Sequence, residues 1–575
     1  MKTEQKNEEY KPRLTVSRRC ALKLGGTLLA AATLPWNMQA GESAVADSST
    51  FAPKPKKLTP AQRDGIAGKT ADLGNGYYLN PILAGDYSDP AVLKDGKDYY
   101  MSHSMCGGLT PGILIWHSRD LVNWEPVCRA LKKSGCTVPE IVKYKDRYFI
   151  YFIANGPQDC QVITAPAIEG PWSEPASIGY GGQIDPGYIL DRATGRHYLY
   201  FSQGWLVELS SDGLKMTGEP KKIYDGWQYP QDWANEGFCL EAPKLFYRNS
   251  YYYLCVAEGG TAGPPTSHML AAARSKSVLG PWENSPDNPI VHTYSIAEPW
   301  WSRGHGPVIE GPDGNWWVIY HAYENNFRTL GRQTLLQPLE WTNEGWFKVA
   351  AGNHPGQPIK KPAGGEIVSG DLALSDDFKG QELGLQWAVI GRANLGKSRL
   401  TGEGLEMTAV KGDSANDRGY YQGSFFHAKG LLPGDISLLA VIPINRSYET
   451  QVRLKRQPGV EAGVLLYYCP EALAGIGLGT RNEIWTMGSI YRRSERLSQP
   501  TDEIYLKVVN RENVITLFWS GDGKQWTQSE FAYEVSGYHH NVFNGYAGLR
   551  VALYATGEGR VRFNDFRYRG LENEV

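Results

Sequence analysis

An excess of charge of one sign is missing from this chain of 575 residues: 59 Lys and Arg stand against 61 Asp and Glu, a formal net charge of −2. Without a basic excess there is no electrostatic footprint for a nucleic-acid backbone. Long apolar runs are missing too. The run from Leu24 to Leu34 is too short to cross a bilayer as an ordinary helix, and no later segment reads as membrane-spanning. Cysteines are few and unpatterned. After Cys20, the seven at 106, 128, 136, 160, 239, 255 and 469 match no zinc or redox spacing, and buried free thiols are expected, although Cys128 and Cys136 could pair. There is no P-loop and no dinucleotide fingerprint. Nor is there a long helical periodicity between residues 80 and 350.

What is abundant is aromatic and turn-forming: 18 Trp, 34 Tyr, 65 Gly and 35 Pro, a mixture suited to many short strands joined by tight turns. The N-terminus stands apart. Ser17-Arg18-Arg19-Cys20-Ala21-Leu22-Lys23 opens the apolar run and resembles a twin-arginine export signal, with Ala44-Val45-Ala46 as a small-residue cleavage site. Residues 1–46 are therefore expected to be a signal and 47–76 a linker. The mature protein is expected to be folded before export and then periplasmic or secreted.

One element recurs five times, a polar turn followed by an aromatic strand: Lys97-Asp98-Tyr99-Tyr100, Asp146-Arg147-Tyr148-Phe149, Arg196-His197-Tyr198-Leu199, Ser250-Tyr251-Tyr252-Tyr253 and Asn315-Trp316-Trp317-Val318. The markers Tyr99, Tyr148, Tyr198, Tyr252 and Trp317 lie 49, 50, 54 and 65 residues apart. Each follows a short apolar strand across a turn, which reads as a β-hairpin. Trp124, Trp172 and Trp282 read as parts of outer strands packing between units. Units of this length predict an all-β, five-bladed propeller over residues 77–354.

The innermost strand of each blade starts beside a common axis, and the residues there are unusual: Ser88-Asp89-Pro90, Val138-Pro139-Glu140, Ile184-Asp185-Pro186, Leu240-Glu241-Ala242-Pro243 and Gly304-His305-Gly306-Pro307. Acids crowded on a low-dielectric axis raise one another's pKa, which a purely structural sheet gains nothing from. Carboxyls whose pKa values are pushed apart are the means of cleaving a glycosidic bond, one giving a proton to the leaving oxygen and the other activating water.

With those residues in hand, the run from Asn80 to about Asn353 resembles glycoside hydrolase family 43. The resemblance is carried, in order, by Asn80-Pro81-Ile82-Leu83, Ser88-Asp89-Pro90, Trp116-His117-Ser118-Arg119-Asp120, Asp185-Pro186, Glu241-Ala242-Pro243, Ala257-Glu258-Gly259-Gly260-Thr261, Ala273-Arg274-Ser275, Gly304-His305-Gly306 and Gly331-Arg332-Gln333-Thr334. It implies an inverting enzyme. Asp89 would be the general base and Glu241 the general acid, with Asp185 orienting Glu241 and raising its pKa. The two catalytic carboxyls would stand about 6.5–9.5 Å apart. His305 and Arg332 would bind substrate, and Glu140 is a further candidate for that role. No cofactor is required, no metal ligand is assigned, and a structural calcium near His305 would be held through water. The family's blade-two Trp-Ala-Pro-Asp reads Thr137-Val138-Pro139-Glu140 here, and the blade-one loop Ser104-Met105-Cys106-Gly107 lacks the Phe of xylosidases. The pocket walls should differ, with Trp227, Tyr229, Trp233, Trp300 and Trp301 as possible replacements.

Residues 355–371, rich in Pro, Gly and Lys, read as a linker, and residues 372–575 as a second all-β region. By the same resemblance this region is a concanavalin-like β-sandwich, or jelly roll, packing on the propeller and lending a loop to the pocket rim. An independent carbohydrate-binding module is the alternative, with Asp376-Asp377 as a candidate calcium turn. The expected activity is exo-acting removal of terminal pentose from plant polysaccharide (arabinan, arabinoxylan or pectin side chains), α-L-arabinofuranose first and β-D-xylose second. A non-catalytic carbohydrate-binding protein is the rival of another class.

Overall fold

The computed structural model describes residues 70–105, 109–131, 136–154, 159–368, 372–390, 397–410, 437–488 and 491–571. The export signal and residues 47–69 of the linker lie outside the described residues.

Five antiparallel sheets of consecutive strands form the blades. Their inner strands are Ala91–Asp95, Cys136–Tyr144, Gly187–Leu190, Leu240–Arg248 and, in blade five, Trp300–Gly304 continued by Val308–Glu310. The recurring aromatic strand is the second of each blade: Asp98–Ser102, Arg147–Ala154, His197–Phe201, Tyr251–Glu258 and Trp316–Glu324. The polar turn between them has a physical reason. Each contains a residue at positive φ, namely Gly96, Lys145, Gly195, Asn249 and Gly314, the conformation that tight hairpins demand.

Residues 80–83 close the ring. Ile82 N–H donates to Thr334 O at 2.9 Å, and the Asn80 amide both accepts from Leu336 N and donates to Leu336 O at 2.9 Å. The N-terminal segment thereby stands beside the third strand of blade five, Arg332–Trp341. Trp124, Trp172 and Trp282 differ from the sequence expectation, because each sits in the connection before an outer strand, not within one. The indoles of Trp124 and Trp172 donate back to Leu121 O at 2.9 Å and Ile168 O at 3.1 Å, a loop-closing bond that an extended strand could not make.

The C-terminal region is two facing sheets, and its described residues contribute seven strands to the first and eight to the second. In the second sheet Ser447–Arg456 alternates, with Tyr448, Thr450, Val452 and Leu454 buried, as a strand with one wet face should. The first sheet does not alternate, because both its faces are covered. Along Val460–Cys469, residues Val460, Ala462, Val464 and Leu466 join the core between the two sheets, while Leu465 and Tyr467 join a cluster that includes Ile115, Trp116 and Ile150 of the blades. The same split recurs in Arg550–Gly557, with Val551 and Leu553 inward and Ala552 and Tyr554 toward the propeller. Leu109–Thr110, from blade one, even pairs with Ala388–Ile390 at the edge of this sheet. The Pro-rich stretch is also tied down: Ile359–Lys360 pairs with Tyr77–Tyr78, and Lys361 Nζ reaches Asp72 at 2.5 Å and Asp120 at 3.1 Å. A module swinging on a linker would show none of this. Propeller and sandwich share one core and should therefore unfold as one. Calorimetry is expected to give a single cooperative endotherm; two resolved transitions would contradict the shared core.

The described cysteines, Cys128, Cys160, Cys239, Cys255 and Cys469, are free. Burial raises each thiol's pKa, so they are inert thiols and not redox groups.

Candidate active site

Each inner strand carries a residue with positive φ within it or close beside it: Asp89 (54°), Val138 (49°), Asp185 (61°), Ala242 (53°) and His305 (56°). Non-glycine residues there cost of order 1–3 kcal/mol each and persist only where the surrounding fold imposes them. Four of the five precede proline directly, and the repeat thus turns the chain sharply at the axis and brings five distant segments together.

Asp89 is buried and held by Arg332 through two bonds, Nη1 to Oδ1 at 2.8 Å and Nη2 to Oδ2 at 3.3 Å. His305 Nδ1 lies 3.3 Å from Oδ1. The backbone N–H of Asp89 donates to His321 Nδ1 at 3.1 Å, which assigns the His321 proton to Nε2, facing Thr261 Oγ1 at 3.4 Å. Burial, the largest influence, would raise the Asp89 pKa, but Arg332 first and then His305 and His321 together outweigh it and hold the carboxyl well below the usual range. His305 and His321 are themselves pushed down by burial, so the guanidinium is the cation that keeps Asp89 ionised.

Glu241 is in the opposite condition. Burial pushes it up to about 7, the Asp89 charge adds to this, Arg332 opposes it, and Glu236 adds again. Asp185 Oδ2 accepts from the N–H of Ala242, the residue after Glu241, at 2.9 Å. Asp185 is also raised, by burial, then by Glu241 and Asp89. Asp185 thus holds the backbone that carries Glu241, and the two buried carboxyls repel one another.

Glu140 departs from its expected role. Its Oε2 accepts from Lys244 Nζ at 2.5 Å and its Oε1 from Tyr188 N–H at 3.4 Å, all within the propeller interior. The fourth acid is committed to an ion pair across blades two and four. Sequence reasoning saw the acid on the axis but had no signal that a lysine three residues beyond Glu241 would meet it.

The second domain reaches the same place. Tyr546 lies with its ring 5.6 Å from the Arg332 guanidinium, stacked at 3.8 Å on His540, and its phenol is pushed up to about 12 by burial and then by the Glu241 charge. Beneath it, Asp86 accepts from Arg550 Nη2 at 2.6 Å, from Gly548 N–H at 2.9 Å and from Arg332 N–H at 3.2 Å. Gly331 sits against Asp86 at φ 75°, where a Cβ would collide with the carboxyl. Of the loop aromatics, Trp300 is core, Trp301 donates to Ile296 O, Trp227 and Trp233 pack on each other, and Tyr229 packs on the exposed Phe238, three residues before Glu241.

Asp89, His305 and His321 also offer ligand atoms within 4.8 Å of one another. They do not suit a directly bound calcium, which takes 6–8 oxygens. The Asp89 oxygens face a guanidinium, and the His321 Nδ1 lone pair is taken by a backbone N–H. The Asp376 turn does not suit one either: its carboxylate accepts from Phe378 N–H at 2.8 Å and the Trp387 indole at 2.9 Å.

Two family descriptions match the chain, "Glycosyl hydrolases family 43" over residues 78–347 and "Beta xylosidase C-terminal Concanavalin A-like domain" over residues 441–569. The chain belongs to glycoside hydrolase family 43. This family 43 protein is 32% identical over 333 residues to a xylan 1,3-beta-xylosidase of a Vibrio species, covering 49% of this chain and 59% of that protein. It is 28% identical over 381 residues to a non-reducing end alpha-L-arabinofuranosidase of Bacteroides ovatus, covering 60% and 69%. The matches thus span about three fifths of these relatives' lengths. Among solved structures, a family 43 protein of Bacillus licheniformis superposes with a TM-score of 0.75 at 26% identity, covering 86% of this chain and 100% of the other. The five-bladed propeller with a concanavalin-like sandwich, expected from the sequence, is the observed fold.

Proposed function

We propose that this family 43 protein is an exo-acting, inverting glycoside hydrolase that removes terminal pentose from plant polysaccharide. The observation that carries this is the opposed state of two buried carboxyls at one channel mouth: Asp89 kept ionised by Arg332, and Glu241 raised to about 7. Asp89 would accept a proton from water as that water attacks the anomeric carbon, while Glu241 protonates the departing oxygen. Arg332 fixes and charges the base, Asp185 fixes the acid through Ala242, and His305 lies 3.3 Å from the base. The chemistry uses this chain's carboxyls and asks nothing of a cofactor. Tyr546, leaning over Arg332 from the sandwich, narrows the mouth and supports action on chain ends.

α-L-Arabinofuranose is the first choice of sugar, because Thr137 stands where xylosidases carry the Trp of the blade-two wall. β-D-Xylose is the second reading, favoured by the xylosidase-type C-terminal match and the Vibrio relative. Hydrolysis of 4-nitrophenyl α-L-arabinofuranoside and β-D-xyloside side by side decides between them; cleavage of neither, nor of arabinan, arabinoxylan or pectin side chains, would favour the non-catalytic carbohydrate-binding alternative. The reading also includes export by the Ser17–Lys23 signal, tested by whether residues 1–46 carry a folded reporter out of the cytoplasm.

The pH profile follows with a definite sign. The active form needs Glu241 protonated and Asp89 ionised. Because Glu241 is raised to about 7, kcat/KM should fall tenfold per unit above about pH 7. Because Asp89 is depressed, the acid limb should lie below the ordinary carboxylate range. Arg332→Met should move the acid limb upward.

A further inference from the structure

Between blades four and five, on the outer side of the propeller, lies a cavity of about 700 Å³. Its walls come from the segment Ile290–Pro299, from Arg303 and Gln337, and from residues 349–357 after the last blade strand. Asp89, Asp185, Glu241 and Arg332 are not among its lining residues. The volume falls within the range of ligand pockets, roughly 300–1,000 Å³.

The lining chemistry is selective. Its one carboxylate, Glu298, is paired with its one guanidinium, Arg303, at 2.7 Å, so the walls bring no uncompensated charge from acids and arginines. Burial pushes the His292 pKa down, which keeps that ring neutral. His292 Nε2 faces Thr266 O at 2.8 Å and therefore carries the proton, which leaves Nδ1 as a lone-pair acceptor. That buried Nδ1 has no hydrogen-bond partner. An unmet buried acceptor is unfavourable unless something donates to it. The ring is held rigidly, face to face with Trp233 at 4.6 Å and edge-on to Tyr294 at 4.7 Å. Tyr294 is 66% exposed, an aromatic at the rim with most of its surface in water. The side-chain amides of Asn353 and Gln357 and the ring of His354 complete the wall.

A charged ligand would find no net counter-charge in the paired walls, and a purely apolar one would leave the polar lining unmatched. A ring that is apolar on its faces and bears hydroxyls around its edge satisfies both parts, since its hydroxyls can meet the polar lining while the ring face covers Tyr294. We propose that this cavity is a second saccharide-binding site, distinct from the catalytic channel, which holds a neutral sugar segment of the polymer whose ends the channel trims. The inference rests on the carbohydrate substrate proposed above.

The test uses the full chain. Aryl pentoside hydrolysis by the wild type checks the substrate reading alone, because a single-sugar substrate engages the channel and has no second segment to place in the cavity. Titration calorimetry of Glu241→Gln with arabino- and xylo-oligosaccharides, and separately with the free pentoses, checks the cavity. Two classes of site are expected for an oligosaccharide, and adding Tyr294→Ala should remove one. In the otherwise wild-type enzyme, Tyr294→Ala should leave aryl pentoside kcat/KM within twofold and lower kcat/KM on soluble polysaccharide about fivefold to tenfold. Gln357→Ala, on the opposite wall, should act in the same direction. A single class of site unchanged by Tyr294→Ala, equal losses on aryl and polymeric substrates, or binding of free pentose without binding of oligosaccharide would each overturn the proposal.

Discussion

Glu241→Gln is expected to lower kcat/KM on a glycoside with a sugar leaving group by about 100- to 10,000-fold, the usual contribution of a general acid. The loss should depend on the leaving group. A sugar alkoxide cannot depart without a proton, whereas nitrophenolate departs nearly unaided, so the 4-nitrophenyl substrate should suffer much less. The alkaline limb near pH 7 should disappear in the variant, since the group that titrates there is gone. An equal loss on both leaving groups, with the limb intact, would place the acid elsewhere. The distinction matters because Asp185 is also raised and accepts a hydrogen bond from the backbone N–H next to Glu241.

Arg550→Met should damage both the fold and the chemistry. Asp86 and Arg550 form a buried pair between propeller and sandwich, and removing one partner from such a pair costs about 3–5 kcal/mol because the other charge is left buried. The chemical damage follows from what else Asp86 holds. It accepts the backbone N–H of Arg332, whose guanidinium keeps Asp89 ionised. A displaced Arg332 should lower kcat and raise the Asp89 pKa, moving the acid limb of the profile upward. A purely structural loss would lower Tm without moving that limb. Arg550→Lys keeps the charge but not the forked donor, and should recover stability more than the limb position. Asp86 lies three residues before the base yet 464 residues from its partner, so this one carboxylate ties the second domain to the residue that charges the base.

The separation in sequence explains what could be read in advance and what could not. The blades were legible because the hairpin turn and aromatic strand are local features, repeated five times at near-constant spacing. Asp89, Asp185 and Glu241 were legible because they occupy equivalent points of that repeat. Arg332 and His305 were reached only through resemblance. Lys244, His321, Thr261, Tyr546, Asp86 and Arg550 carry no local signature; each matters through a partner on another blade or on the other domain. Glu140 shows the limit most directly. An acid at the axis is visible in the sequence, but whether a lysine meets it depends on register across an intervening sheet. The three tryptophans assigned to outer strands show a smaller version, since an indole N–H bonding back to a nearby carbonyl decides between strand and loop.

The sheet covered on both faces has a consequence for synthesis. When the last blade has left the ribosome, the residues that cover its apolar flank, through Tyr554, are still about 200 positions from being made. At roughly 5–20 residues per second, that flank is uncovered for about 10–40 s. Leu109 and Thr110 wait too for the strand that they border, Ala388–Ile390. Newly made chains should therefore pass through an interval of stickiness that the finished protein does not show. Yield in a heterologous host should respond to slower growth temperature and to chaperones that bind nascent chains, even where the purified protein is robust.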